Sequence, residues 1–359
     1  GRGARMPLTV PPRATLQRMA LALLVGLASG ALASRTTLPL PWMLGPMIGC
    51  AAMALAGAPF VAPNGLRMLV IPVIGVMLGS GFHPEIVQHL DAWAGTFLLL
   101  PVFLLAAGGA TFLFYRRVAR YDPVTAFYCA APGGLNEMVI LGGEAGGDER
   151  RIALAHAIRI FVSVTLVALA FALFLDIRAA RGPQTWVGFA DLGPRDLLIL
   201  LACAVAGTWI GKRLRLPAAA LFGPMVLSAA VHLTEIVILP PPSLLILAAQ
   251  VVIGTILGCR FTGADLRHTG RDMAYAAGAT VAMLLVTVGF ALVVHALTAT
   301  ATSQAILAYY PGGLAEMSLL ALAMEQDVAY VSTAHAGRIV IVLFVTPLIF
   351  RLLSRRLMR

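Results

Sequence analysis

Twelve apolar stretches follow one another along the chain, most of them close to the ~20 residues that a membrane-crossing helix requires. They fall at about residues 16–33, 39–57, 66–82, 92–115, 123–145 and 152–175, then 196–211, 217–236, 243–261, 273–297, 303–324 and 331–353. Composition agrees with this pattern. Hydrophobic residues fill 60% of the 359 positions and charged residues 12%, against ~25% charged in ordinary soluble domains. So few charges cannot cover a soluble domain of this length, and the sequence predicts an all-α, polytopic membrane protein. The longest polar connection, Asp176 to Arg195, is too short to fold a domain of its own. Cys50, Cys129, Cys203 and Cys259 stand singly in apolar stretches, which argues against a disulfide framework or a zinc site.

The second half of the chain repeats the first. Pro39 through Leu44-Gly45-Pro46-Met47 returns as Pro217 through Phe222-Gly223-Pro224-Met225. Val73-Ile74-Gly75 with Leu78-Gly79 and Phe82 returns as Val252-Ile253-Gly254 with Leu257-Gly258 and Phe261. Pro132-Gly133-Gly134-Leu135-Asn136-Glu137-Met138 returns as Pro311-Gly312-Gly313-Leu314-Ala315-Glu316-Met317. Ala155-His156-Ala157-Ile158-Arg159-Ile160 returns as Ala334-His335-Ala336-Gly337-Arg338-Ile339. Four blocks in one order point to an internal duplication, with repeats at 1–176 and 196–359 and a linker at 177–195. At the N-terminus, Arg13 and Arg18 before an apolar run ending in Ala31-Leu32-Ala33 have the layout of a cleavable signal peptide. Leu201 to Pro217 copies Leu23 to Pro39, however, so the first stretch is expected to be a retained helix.

Basic residues collect in short cytoplasmic loops, so the arginines report on topology. If the fifth and eleventh stretches dip in and return on the same side, then Arg116, Arg117, Arg120, Arg150, Arg151, Lys212, Arg213, Arg215, Arg267 and Arg271 all lie inside. Only Arg35, Arg178, Arg181 and Arg195 then lie outside. Twelve full crossings separate the charges less well. Five crossings per half is an odd number, so the second half enters upside down. The expected architecture is about ten transmembrane helices plus two broken, re-entrant segments in two inverted repeats, with both termini cytoplasmic.

The broken segments carry the candidate chemistry. Proline lacks an N–H and glycine admits positive φ, so Pro132-Gly133-Gly134 and Pro311-Gly312-Gly313 interrupt their helices. Irregular backbone at membrane depth is tolerated only inside protein or beside a water-filled cavity. The same break at matching places in two halves is the pattern of a transporter's binding site. Glu137 and Glu316 follow each break at the start of a short half-helix, where the dipole favours a carboxylate. His156 with Arg159, and His335 with Arg338, share helix faces a turn or two inside the membrane, where a charge needs a partner. Glu137 is therefore expected within reach of Arg159 or His156, and Glu316 within reach of Arg338 or His335. Such pairs would either pin the broken segment to the next helix or bind solute and ion directly. Asn136 corresponds to Ala315, so the halves differ chemically and a polar ligand is expected to favour the first.

Weaker features remain. Gly45-Pro46 and Gly223-Pro224 either kink the second helix of each half or let it pack tightly through small residues. His83, His89, Glu85 and Asp91 share one connection, a poor candidate for a metal site. His232, His268 and His295 lack repeat partners and are expected at the interface. No nucleophile stands beside a base, no glycine loop suits phosphate, and no histidines have metal-ligand spacing, so neither a metal nor a cofactor is expected.

The doubled Pro-Gly-Gly-Leu-x-Glu-Met and Ala-His-Ala-x-Arg-Ile motifs, with the Gly-Pro-Met blocks, resemble the AbrB family of bacterial membrane proteins over nearly the whole chain. This is the family with a duplicated membrane domain, distinct from the soluble Bacillus DNA-binding regulator of that name. The resemblance implies a bacterial inner-membrane protein. Its members are described as regulators of gene expression, and many carry an ammonia monooxygenase label, without established catalytic or binding residues. A copper monooxygenase needs several imidazoles at one site, and seven scattered histidines do not supply them. Direct DNA binding needs a module such as a helix-turn-helix, and no loop is long enough. The expectation is a non-enzymatic, secondary-transporter-like carrier of a small solute coupled to protons or a cation. It would be embedded in the lipid bilayer, without direct nucleic-acid contact, and a homo-oligomer is compatible with it. A non-transporting membrane sensor or regulator of gene expression is the alternative, and a monooxygenase ranks third.

Overall fold

A computed structural model describes residues 12–174, 186–264 and 266–357. The first part of the expected linker, residues 177–185 with Arg178 and Arg181, lies outside the described residues. The described chain is all-α. Its first half holds α1 (Arg13–Ala33), α2 (Pro41–Leu55), α3 (Asn64–Gly79), α4 (Leu90–Arg117), α5 (Pro123–Ala130), α6 (Leu135–Glu144) and α7 (Glu149–Phe174). The second holds α8 (Pro194–Arg213), α9 (Ala219–Leu233), α10 (Ser243–Cys259), α11 (Leu266–Thr298), α12 (Thr302–Tyr309), α13 (Leu314–Ala323) and α14 (Val328–Leu357). Each apolar stretch is one helix except the fifth and eleventh, which split at Pro-Gly-Gly into α5/α6 and α12/α13.

Six helices, α1, α4, α7, α8, α11 and α14, are long and apolar enough to cross a membrane. Large apolar side chains stand exposed on them, among them Leu98, Leu173, Leu285 and Phe344. A soluble monomer rarely presents so much apolar surface, and this is a multi-pass membrane protein. Four further apolar helices, α2, α3, α9 and α10, have only 15, 16, 15 and 17 residues. At ~1.5 Å per residue they fall short of a ~30 Å hydrocarbon core. The ten expected crossings therefore comprise six of spanning length and four shorter ones.

Two helices begin in the same way. Leu40 and Ala218 are equivalent positions, and both adopt a left-handed conformation, with φ of 47° and 45°. That turn redirects the chain into α2 and α9. Pro41 opens α2, where its fixed φ suits a first turn. Asp122 caps α5 by accepting from the Thr125 N–H at 2.9 Å, again ahead of a proline, Pro123.

The short helices form a scaffold by exchanging partners between halves. Gly254 lies against Met43 and Pro46, and Gly258 against Met47 and Cys50, so α10 and α2 run side by side in the same direction. Gly75 against Leu221 and Pro224, and Gly79 against Met225 and Ser228, give α3 and α9 the same arrangement. The Gly45-Pro46 and Gly223-Pro224 pairs serve tight packing: Gly45 lies on Ser29 and Gly30 of α1, and Gly223 on Gly207 of α8. His232, expected at the interface, is instead buried on α9, its Nδ1 2.7 Å from the Ser228 carbonyl.

With α1 and α8 packed on that scaffold, helices α4–α7 and α11–α14 form a second module, the core. Here α4 and α11 pack antiparallel along their lengths. Tyr121, just past α4, donates to Asp272 near the start of α11 at 2.8 Å. Phe103 meets Phe290 midway with ring centroids 5.5 Å apart, and Gly95 lies against Thr298 at the far end. Arg151, opening α7, joins the first end: its Nε is 3.3 Å from Asp272 and its guanidinium 4.8 Å from the Tyr121 ring centroid. Burial, and then the bond to Asp272, pushes the Tyr121 phenol above its ordinary range.

Each broken segment doubles back. The Asp148 N–H, beyond α6, donates to Thr125 Oγ1 at the start of α5 at 2.8 Å. Ser303, at the start of α12, donates to Gln326 Oε1 beyond α13 at 2.9 Å. Each hairpin thus begins and ends at one end of the fold, the first beside Asp272 and the second beyond the far end of α11.

Candidate functional site

The hairpin tips are held by the two buried arginines. A helix leaves its last carbonyls without partners and presents the negative end of its dipole there. The Pro-Gly-Gly turn after α5 and after α12 prolongs that run of free carbonyls. Arg159 of α7 answers it with a fork, Nη1 donating to the Ala131 carbonyl at 3.0 Å and Nη2 to the Gly133 carbonyl at 3.2 Å. Arg338 of α14 repeats the contact in the second half, to the Tyr310 carbonyl at 3.0 Å and the Gly312 carbonyl at 2.7 Å. A planar guanidinium suits two acceptors at once, which a lysine ammonium does not.

The forks take the place of the expected direct contact with the glutamates. Among the described residues no ion-pair contact within 4 Å joins Glu137 to Arg159 or His156, or Glu316 to Arg338 or His335, although Glu316 acts on Arg338 from electrostatic range. The carbonyls at each tip are fixed acceptors in line with the fork, while each glutamate has a helix start of its own. Glu137 and Glu316 occupy the third positions of α6 and α13. Their carboxylates fold back over Gly134 and Gly313, so closely that a Cβ on either glycine would overlap the Oε2 atom.

The histidines are wholly buried and bonded to backbone. Their equivalence is incomplete: His335 Nε2 lies 2.9 Å from the Leu307 carbonyl of α12, whereas His156 Nδ1 lies 2.9 Å from the Ile152 carbonyl of its own helix. Arg159 and Arg338 are near enough to act on one another electrostatically, so the two tips lie in the same region of the fold.

A cavity of about 670 Å³ opens between scaffold and core. Gly133, Gly134 and Glu137 line it from the first hairpin, and Gly313 and Glu316 from the second. Pro132, Pro311, Gly312, His156, Arg159, His335 and Arg338 do not line it. The side chain of Asn136 lies outside the described residues. Three wall residues escaped the sequence reading: Arg67 on α3, Lys212 near the end of α8, and Arg260 just after α10. A signal for two of them existed, because Arg67 and Arg260 fall inside apolar stretches, yet near the ends they resemble ordinary loop charges.

Fold and site together define a multi-pass membrane protein with two broken hairpins whose tips border a shared cavity. The sequence profile described as "Transition state regulatory protein AbrB" matches residues 42–354, and the chain belongs to this family. It is 26% identical over 321 residues to the Escherichia coli (strain K12) protein called "Putative regulator AbrB", covering 88% of this chain and 91% of that one. It is 25% identical over 353 residues to "Uncharacterized protein YhjN" of Bacillus subtilis (strain 168), covering 92% and 91%.

Proposed function

We propose that the protein is a secondary-transporter-like carrier built from inverted repeats, without enzymatic activity or cofactor. The observation that carries this reading is the cavity, into which both half-helix starts project from opposite hairpins. Inversion is supported by α4 and α11, which are equivalent in the repeat and run antiparallel from Tyr121–Asp272 to Gly95–Thr298. It is supported again by hairpins whose ends lie at opposite ends of the core. On the positive-inside rule, the end bearing Arg116, Arg117, Arg120, Arg150, Arg151 and Arg271 faces the cytoplasm of a bacterial inner membrane. Arg260 belongs to that end, so the cavity opens inward. Contacts between scaffold and core are few beyond α3 with α13 and α14 and α2 with α7. Sliding of core against scaffold would expose the tips to either side in turn. Glu137 and Glu316 are the groups through which a proton or cation would couple to that motion.

The test begins with a thermal-shift screen of the purified chain against small metabolites, followed by uptake of a stabilising compound into proteoliposomes. Uptake driven by a proton or sodium gradient, and lost in the Glu137→Gln/Glu316→Gln double variant, is expected. Uptake that survives the double variant removes the coupling role. A second reading, a membrane sensor that binds without transport and acts on gene expression through a protein partner, draws on the regulator name of the Escherichia coli relative. A compound that binds under every gradient and is never taken up would favour it.

A further inference from the structure

The charges around the cavity are divided between its two walls. Arg67, Lys212 and Arg260 all stand on the scaffold side, while Glu137 and Glu316 stand on the core side. Among the described residues none of the three cations makes a hydrogen bond or ion pair with the protein. Arg67 and Arg260 are close enough for each to feel the other's charge, and Glu316 acts on Arg260 only from electrostatic range. Arg67 and Lys212 are exposed, but Arg260 is half-buried, and a cation there with a like charge beside it is unfavourable unless something of opposite sign lies near. The glutamates answer this incompletely, since each sits in the first turn of a half-helix whose dipole already opposes its charge.

The three cations are also absent from the equivalent positions of the other repeat. Arg67 corresponds to Ile246, Arg260 to Gly81 and Lys212 to Ser34. The duplicated fold therefore does not need them, and they mark one mouth of the cavity alone. The rest of the wall is mostly apolar, with Met68, Ile71, Ile256 and Leu343 among its residues. Unpaired cations beside apolar walls fit a ligand that has a negative group and an apolar body.

We propose that the cavity takes a small organic carboxylate, its negative group held by Arg67, Arg260 and Lys212 and its body resting against the apolar wall below. This rests on the reading of the cavity as the binding site, and it holds whether the bound solute is carried or only sensed. Because the cations line one mouth, the carboxylate binds most tightly when the cavity faces the arginine-rich end.

Calorimetric titration of the full chain in phosphatidylcholine nanodiscs tests this, with butyrate and succinate as probes and butyramide and butylamine as neutral and cationic comparisons. The carboxylates are expected to bind at least about 10-fold more tightly than the amide or the amine, a difference of about 1.4 kcal/mol. Arg67→Gln and Arg260→Gln should each weaken carboxylate binding about 10-fold, while Arg213→Gln, at the same end but off the wall, leaves it unchanged. Arg67 is exposed, so its variant remains informative if Arg260→Gln fails to fold. Absence of carboxylate binding, amide or amine binding of equal strength, or binding indifferent to Arg67→Gln overturns the proposal. Carboxylate binding without uptake retains this inference and removes the carrier; uptake of a neutral or cationic solute does the reverse.

Discussion

Arg159 holds the Ala131 carbonyl at 3.0 Å across a hairpin tip, and Arg338 repeats that bond to Tyr310 at the same distance 28 positions from its acceptor in each half. Two charges that composition cannot explain thus belong to the backbone of the broken segments. They hold open the turns from which α6 and α13 start.

The first prediction concerns that fork. Bonds from a charged donor contribute about 1.5–3 kcal/mol each, so Arg159→Gln and Arg338→Gln should each destabilise the purified protein by about 3 kcal/mol or more. Lysine, reaching one acceptor, should recover about half. Glu137→Gln should cost less than about 1 kcal/mol, the range of a helix-dipole contact. Denaturant unfolding in detergent measures all of these, and a glutamate variant as damaging as the arginine variant would restore the ion pair that the geometry denies.

A second prediction separates packing glycines from lipid-facing ones. A Cβ at Gly75 or Gly254 would run into the backbone carbonyl of Leu221 or Met43, which cannot swing aside. Gly75→Ala and Gly254→Ala should therefore each cost about 1–3 kcal/mol or more through overpacking. Gly108 and Gly289 meet nothing within 4 Å, and alanine there should be neutral or stabilising by up to about 1 kcal/mol. Melting temperatures of the four variants should fall into these two groups.

Topology gives a third. Single cysteines replacing Arg120 and Arg150 flank the first hairpin and should label from the cytoplasmic side. Cysteines replacing Ala299 and Glu325 flank the second and should label only from the opposite side. The native cysteines are all buried, which keeps the background low. Labelling of Arg120→Cys and Arg150→Cys from opposite sides would make the first hairpin a full crossing and the repeat parallel.

Much of this was legible in the sequence because helix breaks are local. Pro132-Gly133-Gly134 and Pro311-Gly312-Gly313 end α5 and α12 whatever surrounds them, and apolar runs mark each helix. Partner choice is not local. Gly75 and Gly254 announce a close approach, but nothing in their neighbourhood says that α3 meets α9 and α10 meets α2. Direct glutamate–arginine contact was not legible for a related reason: sequence shows which charges share a depth, not that backbone carbonyls lie nearer. Arg67 and Arg260 were hidden by position, since a basic residue at a helix end is what the positive-inside rule already predicts.

The most direct test of the carrier account is access to the hairpin tip from the two sides of the membrane. Leu135 lines the cavity at the first position of α6. A single cysteine there can be exposed to a membrane-impermeant maleimide in inside-out and in right-side-out vesicles. Alternating access predicts reaction from both sides, faster from the arginine-rich side toward which the cavity opens. Reaction from that side alone, under every imposed gradient, would contradict it.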